Sequence, residues 1–260
     1  MENYLTLKTE VNGEIITLWL NRPEVHNALN DNMIHEITSF FTQIEYNDSI
    51  RVVIIRGHGK SFCSGADLAW MKRSFTLNEV ENLKESHELS SMFNLIFKSS
   101  KVVIGAVHGN VFGGGVGLVA ACDIAYCVTN SRFSLSETRI GMAAASITPY
   151  LLQKMHPSEL KELIFSAKIF DGDAAEKYKL VNHTFIDKEV MESQLNGLVK
   201  EILSNGRQAI IASKKLINQL TEKAVTEKIA LIPELLAKIR VSPEAQEGFS
   251  AFLEKRKPQW

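Results

Sequence analysis

From residue 30 to residue 46 the apolar positions Met33, Ile34, Ile37, Phe40, Phe41 and Ile44 recur three and four apart, the spacing of one helix face. Asn30 or Asp31 supplies a cap, so a helix is expected through about residue 46. Before it, residues 14–20 read as a strand that follows the turn Asn12-Gly13 and ends at Asn21-Arg22-Pro23. Residues 51–56 and 101–107 are short and rich in β-branched side chains, as buried strands are. Between them, residues 77–97 predict a helix with Leu83, Leu89, Met92, Phe93 and Ile96 as its apolar stripe. A short helix near 112–121 and a strand over 123–128 follow.

Beyond about residue 145 the strand signal fades. The segments 159–165, 173–178, 190–203, 207–220, 222–239 and 243–255 all favour helix. Pro233 predicts a kink or break in the fifth of these, and Ser242 is a candidate N-cap for the last. The chain is therefore β/α at the front and helical at the back. Strands separated by turns and helices fit a doubly wound sheet or a spiral of ββα units, and periodicity does not choose between them.

Composition narrows the classes. The 260 residues allow one large domain or two, and 45% hydrophobic with 23% charged residues is the balance of a soluble globular protein. The 29 basic and 30 acidic residues nearly cancel, so no nucleic-acid or membrane partner is indicated. An anionic ligand must then be met by local lysines and backbone amides. Cys63, Cys122 and Cys127 lie in apolar or small-residue segments and read as buried reduced thiols. No zinc-type spacing occurs, no run approaches the ~18–20 apolar residues that span a bilayer, and the N-terminus lacks a signal-type stretch. The expectation is a cytoplasmic protein without a metal.

Two glycine-bearing turns carry the chemistry. Ser61-Phe62-Cys63-Ser64-Gly65-Ala66-Asp67 follows the run 52–55, and the segment from His108 to Gly117 follows the run 102–104. A strand that enters a helix through a glycine turn leaves backbone N–H groups unpaired, and two such ends together hold a negatively charged oxygen. That is a device for stabilising an enolate or oxyanion, so an enzyme is expected. Gly115 to Ala120 also matches the dinucleotide fingerprint, with Glu137 twenty residues past Gly117. The second strand, however, closes near Val128, and Glu137 comes only after a further turn. No nicotinamide site is therefore assigned.

Glu137 lies in the segment Arg132 to Gly141, where it is either a surface carboxylate paired with Arg139 or an acid/base whose pKa an apolar pocket would raise. Lys60, just before the first turn, reads as a solvated lysine on its own. His58 and His108 flank the turns and read as hydrogen-bonded structure, and Ser64 has no His/Asp partner at a recognisable spacing.

At these residues the chain resembles the crotonase superfamily of enoyl-CoA hydratases and isomerases, essentially end to end. The resemblance rests on Asn21-Arg22-Pro23 with Asn27-Ala28-Leu29, Phe62 through Leu68, Gly109 through Gly117, Cys122-Asp123-Ile124 and Phe133 through Gly141, in order. It implies an α/β fold, a spiral of ββα repeats over residues 1–195 that holds the acyl-CoA site. A C-terminal helical region over 196–260 would associate into trimers or hexamers. The substrate would be an acyl-CoA thioester with its carbonyl oxygen held by the N–H groups of Ala66 and Gly114. Ala66, Asp67 and Leu68 would lie against the coenzyme, Lys60 would stand near phosphate, and Glu137 would be the principal acid/base. Coenzyme A is part of the substrate, and no separate cofactor or metal is implied.

The chain departs from the family pattern in one place that matters. Typical hydratases carry a first glutamate two residues after the glycine triplet, where this chain has Gly117. Gly117 is expected to leave room for a bulkier or carboxylated acyl group, or for a bound water. Met142 through Tyr150, Val116-Gly117 and the ending 252–260 look like bacterial methylglutaconyl-CoA hydratases of leucine catabolism. The resemblance implies a hydratase, the alternatives being an isomerase that shuttles one proton with a single glutamate and a silent acyl-CoA binder.

Overall fold

The β-branched runs build the scaffold. In chain order the strands are β1 (Leu7–Asn12), β2 (Ile15–Leu20), β3 (Val52–Gly57), β4 (Val102–Val107), β5 (Asn110–Phe112), β6 (Ile124–Val128), β7 (Arg132–Ser134) and β8 (His183–Phe185). The helices are α1 (Asp31–Glu45), α2 (Leu68–Ser74), α3 (Glu79–Lys98), α4 (Gly114–Ala121), α5 (Thr148–Lys154), α6 (Pro157–Ser166), α7 (Gly172–Lys177), α8 (Lys188–Ser204), α9 (Arg207–Thr221) and α10 (Pro243–Leu253). This computed structural model describes residues 4–74, 76–221 and 243–259. The helix expected over 222–239, with Pro233 and the candidate cap Ser242, lies outside the described residues.

Six strands share one sheet in the order β1-β2-β3-β4-β6-β8. β1 and β2 pair antiparallel across Asn12-Gly13, where Gly13 takes φ +58°, and every later pairing in the sheet is parallel. The order advances without reversal, so the sheet has no switch point of the kind a doubly wound fold requires. β5 pairs with β7 in a second small sheet, extended by single bridges at Leu29–Ala66, Cys63–Val111 and Phe133–Phe170. Each turn of the chain visits the large sheet, then this second layer, then a helix. That is the spiral.

The core sits between the sheet and the helices. β4 is buried at all six positions, as a central parallel strand covered on both faces must be. α1 starts where Asn30 accepts the Met33 N–H, and all six residues of its expected stripe are buried. α3 starts with a capping box between Asn78 and Glu81, and Met92, Phe93 and Ile96 are buried. Leu83 departs from the expected stripe, being 56% exposed, because it lines an open groove between α3 and Ile34 and Thr38 of α1. β8 also appears where no strand was expected. Three residues give too few alternations for a periodic signal.

The chain divides into two compact units, Met1–Asn196 and Gly197–Trp260. The first holds all the strands and α1 to α7. In the second, the Glu244 carboxylate of α10 accepts the backbone N–H groups of Gln208 and Ala209 at 2.9 and 2.8 Å, capping the start of α9.

Candidate active site

β3 and β4 are neighbours in the sheet, so the segments that leave their carboxyl ends start side by side. They stay together through backbone bonds. The Phe62 N–H donates to the His108 carbonyl at 2.9 Å, Cys63 to Asn110 at 3.2 Å, and Phe112 back to Cys63 at 3.0 Å. Glycine permits this approach. A Cβ on Gly109 would stand 1.9 Å from the Lys60 carbonyl oxygen, and one on Gly115 would stand 2.2 Å from that of Cys63. Leu29 bridges both loops, donating its N–H to the Gly65 carbonyl, accepting from the Asp67 N–H, and placing Cδ1 against Gly114.

Two amides stand open at this junction. Among the described residues, no acceptor takes the N–H of Ala66 or of Gly114, while Gly113, Val116 and Gly117 are all bonded. Ala66 and Gly114 are both partly exposed, and Gly65 and Gly113 approach so closely that a Cβ on one would touch the Cα of the other.

Glu137 opens a 3-10 turn (Glu137–Ile140) and reaches the same point: a Cβ on Gly113 would meet its Oε1 at 3.2 Å. Its Oε2 is buried and has no hydrogen-bond partner. Burial raises its pKa, with a smaller opposing contribution from its own backbone N–H. The alternative pairing with Arg139 is not made, because that guanidinium donates to the Ala167 carbonyl at 2.7 Å.

The surroundings sort the remaining candidates. An open cleft of about 1080 Å³ beside Ala66 is lined by Asp67, Leu68, Trp70, Arg22 and Asn30, among others. Within it the Asp67 carboxylate is already engaged by Arg22 at 2.8 Å and by the N–H groups of Ala69 and Trp70. Burial opposes this ionised form, but those bonds hold the carboxyl below its ordinary pKa, so Asp67 braces the first loop. Leu68 is 81% exposed on the cleft wall, and Lys60 is exposed without lining the cleft. His58 stacks on Trp19 at 4.4 Å, and His108 donates to the Gly59 carbonyl at 2.9 Å. Burial pushes the thiols of Cys63 and Cys127 up to about 12. Among the described residues no His, Cys, Asp and Glu cluster could hold a metal ion, and no helix is long and apolar enough to cross a membrane.

Gly117 overturns an expectation. The space beside it is filled: a Cβ there would meet Ile147 Cγ2 at 2.2 Å and the Phe93 ring at 2.9 Å. Gly117 is buried and opens no room for an acyl group or a water. Ile147, thirty residues on in sequence, gave no signal of this contact, and neither did the role of Leu29 as a bridge.

A family model for enoyl-CoA hydratase/isomerase matches residues 10–260. A crotonyl-CoA hydratase of Syntrophomonas wolfei is 30% identical over 98% of this chain and 96% of its own length. A mitochondrial Delta(3,5)-Delta(2,4)-dienoyl-CoA isomerase of Dictyostelium discoideum is 29% identical over 98% and 90% respectively. The crystal structure of an enoyl-CoA hydratase from Shewanella pealeana matches with a TM-score of 0.93 at 30% identity, covering 98% of this chain and 96% of that one. The chain belongs to the enoyl-CoA hydratase/isomerase family, with its crotonase fold and its lyase or isomerase type of chemistry.

Proposed function

We propose that this enzyme hydrates an α,β-unsaturated acyl-CoA, with the thioester oxygen held by the Ala66 and Gly114 amides and Glu137 as the acid/base. The observation that carries the reading is the buried Glu137 carboxyl, its Oε2 unpartnered and its Oε1 against Gly113, where the loops that bear the two open amides meet. Water adds through its oxygen to the β-carbon, and the π electrons move onto the thioester oxygen as an enolate. Glu137 gives its proton to the α-carbon, and the proton lost by the water returns to the other carboxyl oxygen. One carboxyl thus serves both ends of the addition, and its raised pKa favours the protonated form that begins it. Two preorganised amides contribute on the order of several kcal/mol to the enolate. The cleft beside Ala66 takes the coenzyme portion, with Leu68 on its wall.

Within this reading the acyl group is methylglutaconyl, supported by the sequence likeness of residues 142–150. The three buried thiols suit a reducing compartment, the cytoplasm. Self-association into trimers, single or paired, completes the assembly.

One observation favours isomerisation as a second reading. The wall of Ile147 and Phe93 at Gly117 leaves no place there for a second carboxylate, and one carboxylate suffices to carry a proton between two carbons. A panel of methylglutaconyl, crotonyl and β,γ-unsaturated thioesters, followed by absorbance, separates the two. Hydration is expected for the α,β-unsaturated members, fastest for methylglutaconyl. Conversion of the β,γ-unsaturated thioester alone would establish the isomerase, and binding with no turnover would reject both.

A further inference from the structure

The last residue of α5 is a lysine that the proposed chemistry leaves unused. The Lys154 ammonium donates to the Val119 carbonyl in the last turn of α4 at 3.1 Å. α4 reads Gly-Gly-Val-Gly-Leu-Val-Ala-Ala, is buried from Gly115 to Ala121, and has no polar side chain to satisfy its final carbonyls. The carbonyl of Leu118 accepts from the Cys122 thiol at 3.2 Å, and that of Val119 takes the lysine. A cation there also complements the negative end of the helix. Burial lowers the lysine's pKa, with Cys122 and Asp123 opposing the shift.

α5 grips α4 at a second point. Ile147, the residue preceding α5, fills the space beside Gly117 in the first half of α4. The two ends of one seven-residue helix therefore hold α4 at Gly117 and at Val119. At the other end of α4 stands the open N–H of Gly114.

We propose that Lys154 is a positioning residue: together with Ile147 it fixes α4 along its axis and sets where the Gly114 N–H meets the thioester oxygen. This rests on the reading that Gly114 helps hold that oxygen. A displacement on the order of 1 Å at such a donor is enough to cost up to ~10²-fold in rate.

The test is Lys154→Met, which keeps the bulk and removes the donor, measured beside Lys154→Gln, which keeps an N–H donor without charge. The probe is an aryl-substituted enoyl-CoA whose conjugated carbonyl shifts its absorption to the red when hydrogen bonds polarise it. The expected result is a kcat at least tenfold lower for Lys154→Met, KM within about threefold, a smaller red shift, and partial recovery in Lys154→Gln. If Lys154→Met fails to fold, Lys154→Gln against wild type gives the same two readouts with a smaller expected change. A wild-type red shift and kcat kept in full by the soluble variants overturn the role of Lys154. A wild-type enzyme with no red shift on binding overturns the reading of Gly114 itself.

Discussion

Glu137 stands at the meeting point of two loops with one carboxyl oxygen unbonded, an arrangement that costs stability and that the proposed mechanism would put to use. Burial holds its folded-state pKa above the ordinary carboxylate value. Between those two values the folded protein keeps a proton that the unfolded chain releases, so stability falls as pH rises through that window. Above that window the burial of this carboxyl is a net burden on the folded state. Glu137→Gln is therefore expected to lose a factor of ~10² or more in turnover while melting at a higher temperature than wild type at pH 8. At pH 3, where both states hold the proton, the gain in melting temperature should vanish. Paired activity assays and thermal melts at the two pH values check this. An unchanged rate would remove Glu137 from the mechanism, and an equal melting temperature at pH 8 would show that its burial carries no penalty.

At the scale of elements, α4 is held by close contacts that only glycine allows. Gly117→Ala places a methyl 2.2 Å from Ile147 Cγ2 and 2.9 Å from the Phe93 ring, both parts of packed side chains. Overpacking of this kind costs roughly 1–3 kcal/mol. Ile147→Ala alone leaves a cavity, at roughly 2–5 kcal/mol. In the double variant the new methyl occupies part of that cavity, so the two losses should fall short of their sum by ~1 kcal/mol or more in denaturant melts. Strict additivity would mean that Ile147 does not form the wall. The same contact marks the limit of sequence reading. The two loops were legible because each is a local pattern of β-branched run, glycine turn and helix start. The α1 stripe was legible because its period is local too. That Ile147 closes the space at Gly117 is a tertiary fact, set by how the loop after Glu137 returns to α4, and no spacing along the chain encodes it. Leu83 misled for the same reason, since an apolar residue at the right phase still needs a partner surface to be buried.

Across the whole molecule, the spiral explains why the chemistry collects where it does. Consecutive parallel strands deliver consecutive loops to one edge, and the second layer through Cys63, Val111 and Phe133 zips those loops together. The turn carrying Glu137 follows β7 and is tied onward to the end of α6. Thr138 Oγ1 donates to the Ile164 carbonyl at 2.8 Å, and Arg139 donates to that of Ala167. Phe165, between those two carbonyls, is 75% exposed, and Ile140 and Met142 on the Glu137 side are 59% and 61% exposed. Large apolar side chains left in water beside a functional turn mark a surface that gains by being covered, at roughly 25 cal/mol per Å² of apolar area. The proposed trimer would cover it with a second copy and so brace the turn that carries the acid. Phe165→Glu sets a charge against that cover while leaving the core of α6, Leu160 and Leu163, intact. Light scattering on wild type should give a mass of three chains or six, and on the variant a smaller one, with circular dichroism unchanged and turnover reduced. A variant that keeps its mass and its rate would show that the chains meet elsewhere and that the Glu137 turn holds its shape unaided.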